Sequence, residues 1–421
     1  MVDGDKIIVD LHIHSRFSRA CSKELNIVNL VKWARVKGVE LLGTGDFTHP
    51  EWLKELKGLE VRDGILWYSD SEGEFPFVLS SEISLVYTQD DKGRRIHLLY
   101  LAPSFEVVDK INEWLDSKGR RDYDGRPIFK ISCRDFVAKM EEIDDRIEVI
   151  PAHIWTPWFG VFGSKGGFDS LEEAFGDKVN RIQAIETGIS SDPKMNLKIK
   201  ELREKNISIV SFSDLHSFWP WRMGREATIF KLNGRLSYDE ILRQIRENDF
   251  IGTIETDPAY GKYHFDGHSK CEFSCSPEKT RELNGVCPKC GKDLVIGVDY
   301  RVDELALNGE DYGGDGGGIG DGVGGGVGGG GGKMFYTVLP LHEIISLNEG
   351  VGVNSKRCWK VYDKLIEEFG TEFRILLDVD RGELMRVSGD KVLVDLILKN
   401  RVGGIEVKPG YDGVYGEAVF G

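Results

Sequence analysis

No apolar run in this 421-residue sequence approaches the roughly 20 residues that a membrane-spanning helix needs. The opening residues, MVDGDKIIVD, carry acids where an export signal carries a basic region, so neither export nor membrane insertion is expected. Cysteine is scarce: there are seven, an odd count, and four of them fall between positions 271 and 290. That bunching argues against a disulfide framework and for a metal site in a reducing compartment, so the expected location is the cytoplasm. Positive charge is also in deficit, with 55 Lys and Arg against 70 Asp and Glu and a net charge of −15. The sum does not exclude a nucleic-acid partner, because metal-binding carboxylates contribute to it and local distribution matters more. Basic clusters remain at 117–130 (SKGRRDYDGRPIFK), 198–205 (KIKELREK) and 221–226 (WRMGRE). Each reads as a solvated face or as a set of phosphate contacts.

From residue 7 to about 258, short β-rich runs alternate with amphipathic helical stretches. IIVDLHIH, VELLGTGD, RIHLLYLA, IEVIPAHI, IQAIETGI, ISIVSFSDLH and FIGTIET are strand-like; NIVNLVKWARVKG, FEVVDKINEWLDSKG, RDFVAKMEEID and YDEILRQIREN are helical. Repeated β-then-α units over such a length predict a (β/α) barrel or a doubly wound sheet, and the strand number favours an irregular barrel. The pattern breaks near 259 into a cysteine-bearing insert, which ends at about 300. Residues 301–333 contain a nearly pure glycine run, with too little side-chain surface to offset its ordering entropy, and are expected to form a flexible loop. From 334 to 421, VLPLHEIISLN, SKRCWKVYDKLIEEFG and DKVLVDLILKN predict a mainly helical unit.

The metal-capable residues of the first 258 fall at the C-terminal ends of the predicted strands. His12 and His14 close the first, two apart and hence on one face. Asp46 and His49 follow the second, Glu82 lies in SSEIS, His97 in RIHLLY, His153 in IPAHIW, and Asp214 and His216 in SFSDLH. In a barrel those ends converge on one rim. A single strand histidine is more often a hydrogen-bonded rim residue than a ligand, but the whole set at equivalent places predicts a multinuclear metal site. Imidazole and carboxylate without thiolate suit two or three divalent ions such as zinc, manganese, magnesium or iron, and Glu82 is suited to bridging. Such a centre makes a bound water acidic and neutralises charge on phosphoryl oxygens, the apparatus of phosphoester hydrolysis. Asp10 and Glu186, also at strand ends, read as partners that orient the ligands.

DLHIH, GTGDFTHP, SSEIS, PAHIW and SFSDLH together resemble the polymerase-and-histidinol-phosphatase (PHP) superfamily. The cysteine insert, LPLHEII and the ending GGIEVKPGYDGVYG extend the likeness to the archaeal endonuclease Q family over nearly the whole chain. The resemblance implies a distorted seven-stranded (β/α) barrel with a trinuclear centre. It further implies nicking of DNA on the 5′ side of deaminated bases (hypoxanthine, uracil, xanthine) or abasic sites. By the same resemblance, His12, His14, Glu82 and Asp214 form one metal site, and Glu82, His97 and His153 a second. His216 with Asp46 or His49 forms the third; Phe47 stands after Asp46 where many relatives have TDH, so the choice between the two stays open. The replication sliding clamp is a further implied partner, although no clamp-binding peptide is evident near the ending GEAVFG.

In the insert, Cys271, Cys275, Cys287 and Cys290 have the spacing of one structural tetrahedral zinc, with His264 or His268 replacing one thiolate as the minor alternative. Two loops that leave ligand-bearing strands are rich in aromatics: Trp155, Trp158 and Phe159 with Lys165, and Trp219 and Trp221 with Arg222 and Arg225. Aromatics and cations beside a hydrolytic centre suit an unstacked nucleotide in DNA, although packing under a lid accounts for many such residues singly. The leading expectation is therefore a metal-dependent endonuclease acting on damaged DNA. A small-molecule phosphatase needs neither the insert nor the helical unit, and a non-catalytic zinc-ribbon module does not need so complete a ligand set.

Overall fold

The structure is a computed structural model and describes residues 6–232, 234–308 and 333–419. The glycine run falls almost entirely outside these residues, and the expectation of a flexible loop there lies outside the description. Ten strands frame the site: β1 (Lys6–Asp10), β2 (Leu41–Gly43), β3 (Gly73–Gln89), β4 (Lys92–Ala102), β5 (Glu148–Pro151), β6 (Ala184–Glu186), β7 (Ser208–Val210), β8 (Ala227–Lys231), β9 (Gly252–Glu255) and β10 (Met334–Thr337).

The fold is mixed α/β. An 11-stranded sheet runs β10-β9-β8-β1-β2-β3 and continues through the hairpin Glu60–Arg62/Ile65–Asp70. The long β3 also pairs antiparallel with β4 from Leu79↔Ala102 to Gln89↔Lys92, and β4 pairs with β5. β6 and β7 form a separate parallel pair. Single backbone bonds continue the path: Ile154 N donates to Glu186 O at 3.0 Å beyond β5, and His14 N to Leu215 O at 3.0 Å beyond β7.

The short strands are buried on both faces, as their β-branched and leucine-rich composition requires. Ile7, Val9, Leu41, Val78, Leu99, Ile150, Ala184, Val210 and Phe230 meet in one interior cluster, with Tyr238 and Ile241 from the helix Tyr238–Arg246 packed against it. At Gly43 a Cβ would lie 2.2 Å from Leu11 O, so only glycine lets β2 approach that backbone.

The helices Ile27–Lys37, Phe105–Asp116 and Cys133–Ile143 match the predicted segments, with Asn26, Ser104 and Ser132 capping them. Two details differ from expectation. The helix Val298–Asn308 extends into the segment expected to be loop, because Val302, Leu305 and Ala306 recur at helical spacing and are buried. Met334–Thr337, placed by sequence in the helical unit, instead adds a parallel strand to β9, with Gly252↔Met334 as the first pair.

Beyond it, the helices Leu341–Glu349, Lys356–Phe369, Glu372–Leu377, Arg381–Ser388 and Lys391–Arg401 enclose their own core around Ile344, Tyr362, Leu365, Leu376 and Ile397. A buried ion pair ties this unit to the first helix. Lys37 Nζ donates to Glu372 Oε1 at 2.6 Å and to Pro220 O at 3.0 Å, while Tyr362 Oη donates to Glu372 Oε2 at 2.9 Å. Removing one partner of such a pair strands the other without a counter-charge. Lys37→Met is expected to cost about 3–5 kcal/mol, read as a lower urea midpoint, and Glu372→Gln less, since the amide keeps hydrogen-bonding capacity.

Candidate metal centre

Glu82 stands near the middle of β3, fully buried, and its two oxygens face different partners. Oε2 lies 3.3 Å from His14 Nε2 and 3.6 Å from His12 Nε2, and Asp214 Oδ1 is 3.0 Å from His14 Nε2. Oε1 lies 2.7 Å from His97 Nδ1 and 3.2 Å from His153 Nε2. The cross-strand register explains the second contact: Glu82 opposes Leu99 and Ser84 opposes His97, so His97 sits diagonally opposite Glu82. Two groups of metal-capable donors result, His12, His14, Glu82 and Asp214, then Glu82, His97 and His153, with the donor atoms of each group within 4.8 Å of one another.

The ring orientations are fixed from behind. Glu186 accepts from His12 Nδ1 at 2.8 Å and from the His153 backbone N–H at 2.7 Å. Asp46 Oδ1 accepts from His14 Nδ1 at 3.0 Å, and its Oδ2 accepts from Ser15 N, Ser15 Oγ and Ser18 Oγ. Thr156 Oγ1 lies 2.8 Å from His153 Nδ1, and Phe159 stacks on His97 with centroids 4.2 Å apart. With protons committed at the Nδ1 positions of His12, His14 and His153, their Nε2 atoms present lone pairs toward carboxylates and other imidazoles. His12 Nε2 is buried with no hydrogen-bond partner. Acceptors facing acceptors in a buried place call for a cation between them, and imidazole with carboxylate is a donor set for divalent metal ions.

The charges respond to this crowding. Without a cation between the donors, burial pushes His12 and His14 down, but Glu186, Asp214 and Glu82 outweigh it for His12, and Asp46, Asp214 and Glu82 for His14, holding both well above the usual histidine range. A proton on Nε2 then stands where a metal ion would. Burial pushes Glu82 up, yet His97, Arg126 and His12 hold it well below the usual carboxylate range; His216 and His12 do the same for Asp214. His97 is pushed down to about 4, chiefly by burial. Three residues here have left-handed backbones: Asp46 (φ 48°), His153 (φ 33°) and Asp214 (φ 47°).

Eight of the nine expected ligands thus lie in or directly behind the two groups or, for His216, beside them: its ring centroid is 4.6 Å from that of His14. Asp46 is spent on orienting His14, and His49 stacks on Phe17 instead, with centroids 4.2 Å apart. Among the described residues, these two are the only groups of three or more donors outside the insert. Asp10 Oδ1 accepts from Ser213 N at 3.0 Å, steadying the chain just before Asp214.

Reading by motif missed Arg126, whose Nη1 donates to Glu82 Oε2 at 3.0 Å. Its only sequence signal was its place in the basic cluster 117–130.

In the insert, the donors that converge are His268, Cys271, Cys287 and Cys290. Cys275, expected among them, instead lies on a strand opposite Asp266, its Sγ 3.2 Å from Thr280 Oγ1. The antiparallel pair Asp266–His268/Phe273–Cys275 brings His268 to the turn that carries Cys271, and Cys290 Sγ is 3.3 Å from His268 Nδ1.

The aromatic loops divide. Trp155 is a core residue, 1% exposed, its Nε1 donating to Asn196 Oδ1, so it faces no ligand. Trp158 packs on Tyr263, and Lys165 is exposed. Trp219 and Trp221 stack at 5.5 Å and join Trp33, Trp359 and His342 where the helical unit meets the helix Ile27–Lys37; Arg222 beside them is exposed and Arg225 half-buried.

Comparison with known proteins agrees with this architecture. Residues 340–403 match the MJ0043 C-terminal domain family. The chain is 30% identical over 310 residues, 72% of its length, to protein MJ0043 of Methanocaldococcus jannaschii, but spans only 35% of that longer protein. It is 28% identical to YqxK of Bacillus subtilis, covering 98% of this chain and 99% of that one. Two solved structures superpose with a TM-score of 0.82 at 29% identity over 98% of this chain: the lesion-specific endonuclease PfuEndoQ from Pyrococcus furiosus, 95% covered, and endonuclease Q in complex with a 27-mer duplex bearing an abasic lesion at the active site, 96% covered. The chain thus has mixed α/β layering around a buried imidazole–carboxylate centre suited to divalent metal ions. It resembles endonuclease Q, in sequence and in shape, over 98% of its length.

The orienting carboxylates make a direct prediction. Glu186→Gln and Asp46→Asn are each expected to weaken divalent-metal binding about 10–100-fold in titrations of metal-free protein, with the fold retained.

Proposed function

We propose that this chain is a metal-dependent endodeoxyribonuclease of DNA repair, acting in the cytoplasm on the phosphodiester 5′ to a damaged nucleotide. The observation that carries the reading is the divided use of Glu82, which gives two adjacent donor groups at one opening, within a chain that resembles endonuclease Q over almost its whole length. Abasic sites are the favoured substrate because an abasic duplex occupies the active site of that relative. Deaminated bases and the replication sliding clamp enter the proposal through the resemblance alone.

His12, His14, Glu82 and Asp214 would hold one ion and Glu82, His97 and His153 another, with His216 near enough to the first group to serve a third. Divalent ions in these places supply Lewis-acid activation of water and neutralise charge at the phosphorus. The chain's own part is preorganisation. Glu186, Asp46 and Thr156 fix imidazole tautomers, Phe159 backs His97, and exposed Lys165 and Arg222 are available to the DNA backbone. We read the strand path β1 to β7, with side chains from each strand in one interior cluster and a return at Ile13↔Leu215, as the distorted seven-stranded barrel. The division into 1–258, 259–300, 301–333 and 334–421 is kept, with the helix Val298–Asn308 crossing the boundary at 300 and the strand Met334–Thr337, at the start of the last unit, pairing with β9 of the first.

The test is nicking of 5′-labelled duplex DNA carrying one abasic site, deoxyinosine or deoxyuridine, with manganese or magnesium. One cut 5′ of the lesion is expected, lost by at least about 100-fold in His14→Ala and Asp214→Ala. Phosphate release from small monoesters without any nicking would replace the reading by a phosphatase.

We also infer one structural zinc held by His268, Cys271, Cys287 and Cys290. Zinc content of the purified chain should survive Cys275→Ser and fall in His268→Ala; the reverse pattern would restore the four-cysteine site.

A further inference from the structure

The openings around the metal centre are unequal. His12, His14 and Glu82 have side chains with no exposure, whereas Asp214 is 30% exposed, His216 32% and Arg126 21%. These last three are partly exposed polar side chains beside the buried donors, where an incoming phosphate would meet the centre. Among the described residues, Arg126 is the only lysine or arginine that pairs with a carboxylate of the two donor groups.

Its position is not left to chance. The loop that carries it is pinned on several sides: Gly125 N donates to Phe17 O at 3.1 Å, Thr48 Oγ1 to Gly125 O at 3.0 Å, and Ser84 N to Pro127 O at 3.1 Å. Asp124 Oδ1 accepts from the backbone N–H groups of Arg19 and Arg126. At Gly125 a Cβ would fall 2.3 Å from Asp46 Cγ, so the loop lies directly on the carboxylate that orients His14, with no room for a larger residue. A guanidinium has five N–H donors in a rigid plane. One of them, on Nη1, is used on Glu82 Oε2, which sets that plane; Nε and Nη2 make no hydrogen bond with the described residues.

We propose that Arg126 is a catalytic residue that binds the scissile phosphate, its free N–H groups donating to a non-bridging oxygen. The inference rests on the phosphodiesterase reading and assigns that reading its principal anion contact on the protein. A partly exposed fork held by one carboxylate matches phosphate geometry, and its charge offsets the negative field of Glu82, Asp214, Asp46 and Glu186 that an incoming phosphate meets. Arg126 gains most when charge builds on the equatorial oxygens, so its effect falls mainly on turnover.

The experiment uses the full chain and the variants Arg126→Ala and Arg126→Lys, each checked for metal content and thermal midpoint. Inorganic phosphate binding, measured by calorimetry, is expected to weaken at least about 10-fold in Arg126→Ala, and lesion nicking to slow by about 10²–10³-fold at unchanged metal content. Arg126→Lys should recover part of both, since an ammonium keeps the charge and loses the fork. Wild-type phosphate binding in Arg126→Ala would overturn the proposal. So would loss of metal from that variant, which would make Arg126 a positioning residue for Glu82. Failure of the wild-type chain to nick any lesion would overturn the endonuclease reading instead, with the phosphate measurement still deciding on Arg126.

Discussion

A single buried carboxylate sets the terms for the rest of the centre. Glu82 sits in a strand with no access to solvent, where an isolated anion would be prohibitively unstable. It is tolerated because histidines crowd both of its oxygens and a guanidinium adds a third source of compensation. Each of those partners then needs support of its own. Glu186 and Asp46 exist in the interior because His12 and His14 do, and the serines around Asp46 because Asp46 does. The polar network is thus built outward from one position in β3. The length of that strand, 17 residues, lets it join the sheet with one half and carry the ligand register to β4 with the other.

Much of this was legible in sequence, for a local reason. His12 with His14, or Asp214 with His216, are neighbours in the chain, so short motifs report them, and a strand end announces which way they face. What sequence did not settle was contact across the fold. Whether Asp46 or His49 turns to the centre depends on the sharp backbone at Asp46, which gives its carboxylate to His14 and leaves His49 to cap the next helix against Phe17. Arg126 lies on a loop with no periodicity, and only the pinning of Gly125 under Asp46 brings it to Glu82.

The same limit appears in the insert. Cysteine spacing identified the metal-capable segment but not its membership, because strand pairing, rather than spacing, decides that His268 faces Cys271 while Cys275 turns to Thr280. Trp155 carried the residue type of a base-stacking surface and proved to be core, since burial is a property of the assembled layers. Met334–Thr337 was obscured by the glycine run before it and the helices after it; its partner, β9, lies some eighty residues upstream in the chain. The Lys37–Glu372 pair was equally invisible, for its members are separated by almost the whole protein.

The left-handed backbones at Asp46, His153 and Asp214 narrow the residues that evolution could have placed there. A metal-capable donor at His153 and Asp214, or a support for His14 at Asp46, could on chemistry alone be any of several polar residue types. Stereochemistry prunes that alphabet again, since a side chain at positive φ crowds its own carbonyl and only short polar residues such as Asp and Asn, or the flat ring of His, tolerate it readily. The centre is therefore written in two alphabets at once, and their overlap is small. Glycine or asparagine at these three positions would keep the turn while removing the carboxylate or imidazole that the centre uses.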